Sequence, residues 1–147
     1  MRTLTEQDAV VRLDEHIRAA VEQLSPAPRL EPGLAGSMPC DDPDDGGPPG
    51  RVFVEAHHWL RDVPARRNRQ IFDTLHDFWV AEGYEVLSDL RDRPEAPHLK
   101  VRHRADGFSV SLRENLERDL KVSGSSPCVW PDGDPPDDAD AVRPVRG

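Results

Sequence analysis

The sequence predicts an α+β fold: an N-terminal helix, then the order β-α-β-β-β, with one central helix packed on a mostly antiparallel sheet of four to five strands. Two observations predict it. Residues 65–90 combine a helical apolar repeat with a strand that follows at once, and residues 98–124 alternate apolar and polar side chains between short turns. One crossover helix followed by hairpins is typical of two-layer α+β domains.

The central helix is predicted from apolar residues that recur with a 3.6-residue period. Gly83 follows them, at the position where a helix often ends in a left-handed residue. Tyr84 and Val86 then alternate with Glu85, which indicates a strand. The apolar face of this helix consists of Ile71, Phe72, Leu75, Phe78 and Trp79.

An amphipathic helix is predicted over Thr5–Leu24, within an N-terminal region of residues 1–25. Thr5 and Asp8 resemble a capping box at its start. We expect this helix to dock on the domain, and a partner helix or self-association is the alternative. Its apolar stripe consists of Val10, Leu13, Ile17, Val21 and Leu24.

Three further regions follow along the chain. Residues 26–50 are rich in proline, glycine and aspartate and are expected to form an extended linker. Residues 51–130 form the predicted core domain. Residues 131–147 form an acidic, proline-rich tail that we expect to be disordered.

The core domain is predicted to begin with a strand over Arg51–Arg61, with a kink or bulge at Trp59-Leu60. Because the central helix connects this strand to the one at Tyr84, we expect the two to be parallel with a right-handed crossover. Asp106-Gly107 is a strong hairpin signal, so the later strands should form an antiparallel meander. These strands are expected over His98–Arg104, Phe108–Leu112 and Asp119–Gly124, with a second turn at residues 115–118.

Charge is distributed unevenly along the 147 residues, whose net charge is −9. Residues 1–50 carry −6, residues 51–128 are neutral and residues 129–147 carry −3. The acidity therefore belongs to the flanks, which disfavours a DNA mimic or a binder of basic partners. No basic patch or aromatic-lined groove indicates nucleic-acid binding, and we expect a monomer.

The N-terminus, MRTLTEQDAV, has no apolar segment of the kind found in signal peptides. No run in the sequence approaches the roughly 18 apolar residues of a transmembrane segment. We therefore expect either a cytoplasmic protein or the mature segment of an exported one whose leader has been replaced by a start methionine.

Two cysteines, Cys40 and Cys128, lie at opposite borders of the predicted core domain, each preceded by a proline. This placement favours a disulfide that ties the entry segment to the last strand. Two free thiols and a metal-binding pair are the alternatives. Disulfides are typical of oxidising compartments, so this expectation favours an extracytoplasmic location.

Four segments follow one another in a recognisable order: LTEQDAVVRLDEHIRAA, CDDPDDGGPPGRV, HHWLRDVPARRNRQIFDTLHDFWVAEGYEVL and the most specific, SSPCVWPDGDPP. Together they resemble a family of small actinobacterial secreted lipoproteins of unknown function, over residues 3–136. The resemblance implies a location in the cell envelope or outside the cell. Such proteins begin with a signal peptide and a lipid-modified cysteine, and neither is found in this sequence. The resemblance supplies no catalytic residue and no cofactor.

Histidines and aspartates are the candidate metal ligands, and we expect none of them to form a metal site. His57 and His58 are adjacent on a strand and therefore point to opposite faces, as do His98 and His103. Zinc sites need three or four converging ligands. The aspartates of residues 41–45 do not fit the ligand spacing of an EF-hand calcium loop.

Two other sets of side chains are candidates for ligand binding. The first lies before or in the first turn of the central helix, where anions are favoured. This candidate anion contact consists of Arg66, Arg67 and Arg69. The second set is a candidate ligand platform of three tryptophans. The alternative is that they are structural residues, at core, rim and closing positions of the domain. The set consists of Trp59, Trp79 and Trp130.

No catalytic motif is present, whether a Walker A loop, G-x-G-x-x-G, H-E-x-x-H, C-x-x-C or G-x-S-x-G. We therefore predict a non-enzymatic, extracytoplasmic binding or structural module that uses no cofactor. Its partner would be a component of the cell envelope or a protein. The alternatives are a cytosolic interaction protein of immunity or chaperone type that uses the Val10–Leu24 stripe, and a metal-dependent or hydrolytic enzyme.

Overall fold

Two helices and six strands make up the part of the chain that the computed structural model describes, residues 2–40 and 49–135. In chain order they are α1 (Glu6–Val21), β1 (Arg29–Pro39), β2 (Val52–Arg61), α2 (Asn68–Ala81), β3 (Tyr84–Leu90), β4 (His98–His103), β5 (Ser109–Glu114) and β6 (Leu120–Ser125). The strands form one sheet in the order β1-β2-β6-β5-β4-β3, with every neighbouring pair antiparallel. Both helices pack on one face of this sheet, so the fold is α+β as expected.

The first strand corrects the prediction of a linker at residues 26–50. Residues 29–39 form β1, which pairs with β2 from Arg29 opposite Arg61 to Pro39 opposite Val52. β1 is an edge strand, so one side of its backbone needs no partner strand, and prolines are tolerated there. Residues 41–48, which include the aspartates considered as a calcium loop, lie outside the described residues.

A bulge is present in the β1–β2 pair, but not at Trp59-Leu60 where the sequence predicted it. The register shifts between Pro32 and Ala35, so β1 carries one extra residue opposite β2. Gly33 lies in this bulge, where a Cβ atom would stand 3.3 Å from the carbonyl oxygen of His57. β2 itself stays in unbroken register with β6 through Leu60.

The strands that α2 connects, β2 and β3, run in the same direction but lie four strand pairings apart. The meander of β4, β5 and β6 lies between them, so the connection through α2 crosses the sheet and does not link two neighbouring strands. Among the described residues the sheet has no parallel pair, and it has six strands rather than four to five. The topology therefore differs in detail from the predicted one.

Helix α1 confirms the predicted N-terminal helix and its docking. Asp8 donates its amide hydrogen to the Thr5 side chain at 3.0 Å, which is the expected N-terminal cap. Its buried side seals the core against β2 and β6. Val10 is 52% exposed and is replaced in the stripe by Ala9. The buried residues are Ala9, Leu13, Ile17, Ala20 and Val21.

Helix α2 also forms where the apolar period predicts it. A single 3₁₀ turn, Ala65–Arg67, precedes it. Phe72 and Trp79 are buried in the core, and Phe78 packs partly buried against it. Gly83 adopts a φ of 89°, which a side chain would disfavour, and Tyr84 then begins β3.

The closing segment joins both ends of the domain. Cys40 and Cys128 form a disulfide with a Cα–Cα distance of 6.1 Å, as predicted. Val52 and Val129 pair by backbone hydrogen bonds, which adds a short bridge beside the disulfide. The described part of the predicted tail, residues 131–135, is bound to the N-terminus, since Gly133 accepts a hydrogen bond from the Thr3 amide. Residues 136–147 lie outside the described residues.

Neither helix of the described ranges has the length and hydropathy needed to cross a bilayer.

Candidate functional site

Four polar side chains from separate elements converge at one end of the helix layer. His16 comes from α1, Tyr84 from the first position of β3, His103 from the end of β4 and Asp106 from the β4–β5 turn. We call these four residues the histidine cluster. The rings of His16 and Phe108 stack with centroids 5.1 Å apart, which gives the cluster an apolar floor.

The hairpin turn positions the carboxylate of the histidine cluster. Gly107 adopts a φ of 79°, as the Asp-Gly signal predicts, and its amide donates to the carbonyl of His103. Asp106 Oδ1 accepts the amide hydrogen of Phe108 at 3.1 Å, which fixes the carboxylate at the turn. The carboxylate therefore faces α1 because of the hairpin geometry.

Asp106 links the two imidazoles of the histidine cluster. His16 Nε2 lies 2.8 Å from Asp106 Oδ2, and His103 Nδ1 lies 3.0 Å from Oδ1. The second ring nitrogen of His16, Nδ1, is hydrogen-bonded to the hydroxyl of Tyr84. These contacts form a continuous chain from the phenol through one imidazole to the carboxylate and the second imidazole.

Burial and hydrogen bonding have opposite effects on the ionisation of the histidine cluster. Burial acts to raise the pKa of Asp106, but hydrogen bonds from His16 and the Phe108 amide prevail, so its pKa lies below the usual value. Burial, with smaller contributions from Asp106 and Glu82, raises the pKa of Tyr84 to about 12. At neutral pH the pair is therefore a carboxylate and a protonated phenol.

The histidine cluster opens onto a cleft of about 300 Å³. The side chains of His16, Asp106 and His103 retain 11%, 18% and 24% of their exposure, so solvent reaches the cluster. Phe78 and Ala19 line the apolar side of the cleft, and the charged side chains that line it are Arg12, Glu15 and Glu82.

The sequence prediction missed this cluster because it considered histidines in pairs along strands. The sequence predicts that His103 is a strand residue that points away from His98 and binds no metal, and it gives no role to His16. A signal for His16 exists, since it lies between Leu13 and Ile17, next to the buried stripe of α1. Nothing in the sequence shows that this edge of α1 meets the β4–β5 turn, because that contact depends on how α1 lies across the sheet.

The second feature is the sheet face opposite the helices, which no helix of the described residues covers. We call it the uncovered face. Each strand of the meander contributes alternate polar residues to it, while the intervening residues are buried. A depression of about 180 Å³ lies at its centre. The side chains that line it include Ser109, Ser111, Ser123, Ser125, His57 and Lys100.

His57 and Ser123 meet on the uncovered face, a pairing that the sequence does not show. Ser123 Oγ lies 2.7 Å from His57 Nδ1, and His57 Nε2 lies 3.6 Å from Glu55 Oε1. This order resembles a serine–histidine–carboxylate triad, but an oxyanion hole needs amide donors directed at the substrate. The strands that carry these side chains pair with neighbours on both sides, so their amides are committed to the sheet.

The uncovered face carries basic side chains that have no ion-pair partner among the described residues. No described acidic group lies within ion-pair distance of Lys100, Arg113 or Lys121, although Lys121 lies 5.3 Å from the ring centroid of Trp59. His98 faces Arg113 across the β4–β5 pair. Burial lowers the pKa of His98, and Arg113 and Lys100 lower it further. Lys100, Arg113 and Lys121 therefore bring positive charge to this part of the face, while Glu55 lines the same depression as Lys100.

The three tryptophans do not form one platform. Trp79 is fully buried, and Trp130 is 4% exposed and packs near Gly50. Trp59 alone lies on the uncovered face, where Arg61 lies over its ring at 5.0 Å. Trp79 is therefore a core residue and Trp130 a buried residue of the closing segment, as the alternative interpretation predicts.

The three arginines at the start of α2 are not held together as an anion site. Arg67 donates to the carbonyl of Ser25, and Arg69 forms ion pairs with Asp73 and Asp92. Arg66 and Arg69 are exposed, whereas Arg67 is partly buried.

His57 and His58 diverge, as the alternation of a strand predicts. His57 lies on the uncovered face, whereas His58 points toward the helices, where its Nδ1 is buried without a hydrogen-bond partner among the described residues.

Comparison of this chain with family models, curated proteins and solved structures finds no match.

Proposed function

We propose that this chain is an extracytoplasmic binding module, of the kind found in small secreted lipoproteins, that holds an anionic, hydroxyl-rich component of the cell envelope on its uncovered face. The single observation that carries the proposal is the chemistry of that face. Lys100, Arg113 and Lys121 supply positive charge without acidic partners, and strand serines next to them supply hydroxyl groups. Cations and hydroxyls side by side match a ligand that carries both phosphate or carboxylate and hydroxyl groups.

The disulfide supports the extracytoplasmic part of the proposal. Cys40 and Cys128 are paired, and stable disulfides are characteristic of oxidising compartments. The pair joins the edge strand to the closing segment, so it stabilises the sheet on which the proposed surface lies.

A binding role is favoured over hydrolysis on the uncovered face. The Ser123–His57 contact lacks amide donors for an oxyanion, because the surrounding backbone belongs to the sheet. The interaction role proposed for the Val10–Leu24 stripe is also disfavoured, since most of that stripe is buried in the core.

The test measures binding to alginate, an anionic polysaccharide, with neutral dextran as the reference polymer. The double variant Lys100→Ser/Arg113→Ser should weaken alginate binding at least about tenfold, which corresponds to about 1.4 kcal/mol. Binding by the unaltered protein should weaken as salt is added, because exposed charges are screened. Dextran should bind weakly, if at all, and independently of these residues.

The matched control is Arg12→Ser/Arg66→Ser, which removes the same charge from exposed positions in the helix layer. This control should bind alginate like the unaltered protein. Equal losses in both double variants would mean that only net charge matters, and the proposal would be wrong. A loss confined to the control would move the anion site to the helix side.

A further inference from the structure

We propose that His16, His103 and Asp106 bind one divalent transition-metal ion, with Zn²⁺ the best match. One ligand atom from each residue lies within 4.8 Å of the other two, and no other such group occurs in the described part of the chain. Two imidazoles and one carboxylate are a common set of protein ligands for zinc sites that keep an open position. This site is separate from the uncovered face and does not depend on the function proposed there.

The two imidazoles of the proposed site contact different oxygens of the Asp106 carboxylate. The two imidazole nitrogens lie 2.8 Å and 3.0 Å from oxygens of Asp106. Tetrahedral zinc with bonds of about 2.0–2.1 Å places its ligand atoms about 3.3 Å apart. Because one ligand atom from each residue lies within 4.8 Å of the other two, the most widely separated pair must close by up to about 1.5 Å, through side-chain rotation, to bind one ion.

The proton positions are compatible with binding through neutral imidazoles. Without a metal, His16 Nε2 and His103 Nδ1 each donate a hydrogen to the Asp106 carboxylate. In the metal-bound state these nitrogens carry lone pairs toward the ion, so each neutral ring holds its hydrogen on the other nitrogen. For His16 that nitrogen is Nδ1, which faces the hydroxyl oxygen of Tyr84. Tyr84 then accepts this hydrogen bond and orients the ligand ring.

The cleft leaves room for a fourth ligand. All three proposed ligands keep part of their exposure on the side of the cleft, which is about 300 Å³ in volume. Glu15 and Glu82 line the same cleft together with Arg12, so the charged side chains around the proposed ligands carry a net negative charge, which favours cation entry. A water molecule can complete a tetrahedral site there, as in zinc sites with three protein ligands.

The alternative is a hydrogen-bonded cluster that binds no metal. Phenol, imidazoles and carboxylate already satisfy one another, so the contacts alone are explained equally well by both states. The two states differ in whether the cluster binds an ion with the three named residues as ligands.

The experiment is a titration of the untagged full chain with Zn²⁺ by calorimetry, together with the visible absorption of its Co²⁺ complex. We expect one equivalent of Zn²⁺ per chain and a Co²⁺ spectrum of four-coordinate type. His103→Asn and Asp106→Asn should each weaken Zn²⁺ binding by at least about tenfold. The matched control is His76→Asn, which removes a histidine that lies 3.0 Å from Asp77 on an exposed helix surface. It should bind Zn²⁺ like the unaltered protein.

Each outcome decides the proposal. Absence of stoichiometric Zn²⁺ binding in the unaltered protein would overturn it, and so would binding that persists unchanged in both His103→Asn and Asp106→Asn. An equal loss in His76→Asn would show surface binding by scattered histidines and would also overturn it. If Asp106→Asn fails to fold, as judged by near-ultraviolet circular dichroism, the more exposed His103→Asn and the Co²⁺ spectrum decide. Lys100→Ser/Arg113→Ser should leave Zn²⁺ binding unchanged.

Discussion

At the scale of single residues, Gly124 shows how closely α1 approaches the sheet. A Cβ atom on this residue would lie 2.6 Å from Leu13 Cδ1 and 3.0 Å from the carbonyl oxygen of Ser109. The Leu13 methyl group can move, but the Ser109 carbonyl belongs to the adjacent strand. Glycine is therefore required at this point of β6 by packing between layers.

Replacing Gly124 by alanine should lower the free energy of unfolding by about 1–3 kcal/mol, because the added methyl overpacks the interface between α1 and the sheet. Urea denaturation measures the change. Gly36→Ala is the matched control, since nothing lies within 4 Å of a Cβ atom at that strand position. Equal effects at the two positions would show that the close approach has no energetic consequence.

His58 is a residue whose burial should affect the pH dependence of stability. Burial lowers its pKa below the unfolded value of 6.5; Asp14 opposes this shift, while Arg18 and His57 add to it. As pH falls through about 6.5, His58 is protonated in the unfolded chain before it is protonated in the folded one. The free energy of unfolding therefore decreases as pH falls from about 6.5 toward the folded pKa of His58.

His58→Leu should consequently reduce the loss of stability between pH 7.5 and pH 5.5. The measurement is the urea midpoint of both proteins at the two pH values. Part of the slope should remain, because the pKa of His98 is lowered as well. His76→Asn serves as the control, and a slope that His58→Leu leaves unaltered would contradict the assignment.

At the scale of elements, β1 shows how position in the sheet can override composition. Its prolines and glycines indicate a linker, yet β1 pairs with β2 along its length apart from one bulge. Only the edge of a sheet permits this, because an edge strand has one side without partners. α1 behaves in the opposite way, since its apolar period, its cap and its docking all agree.

The docking of α1 predicts a large difference between two of its apolar residues. Leu13→Ala should destabilise the fold by about 2–5 kcal/mol, because Leu13 is 1% exposed and its loss leaves a cavity. Val11→Ala should change stability by less than about 0.5 kcal/mol, because Val11 is 55% exposed. Thermal denaturation of both variants measures the contrast, and similar effects would indicate a helix detached from the core.

At the scale of the whole molecule, the disulfide closes the chain over a separation of 88 residues. It connects Cys40, directly after the edge strand β1, to the segment that follows β6, so the loop that it closes contains every element from β2 to β6. In the chain-entropy description, a loop of this length contributes about 4–5 kcal/mol by restricting the unfolded state.

The double variant Cys40→Ser/Cys128→Ser should therefore lose about 3–5 kcal/mol of unfolding free energy, measured by urea denaturation. Alkylation of the native, unreduced protein followed by intact mass measurement provides the chemical check. Both cysteines should resist labelling until a reductant is added. Free labelling without reductant would remove the support that the disulfide gives to an extracytoplasmic location.

The sequence by itself determined the local elements of this protein. The 3.6-residue period of α2, the cap at Thr5, the left-handed glycine at Gly83 and the Asp106-Gly107 hairpin all appear where short-range chemistry predicts them. These features depend on neighbours within a few residues, so the sequence contains what is needed to predict them. The border positions of the cysteines were sufficient to predict their pairing as well.

Only the tertiary structure decided the sheet order and the functional surfaces. β1 forms a strand because it pairs with β2 at the edge of the sheet, a contact that its own composition does not indicate. β2 lies far from β3 because the three strands of the meander lie between them in the sheet. His16 meets His103 and Asp106 across about 90 residues of sequence, and Ser123 meets His57 across two neighbouring strands. Such contacts depend on how helices cross the sheet and which strands become neighbours, and those are properties of the packed chain as a whole.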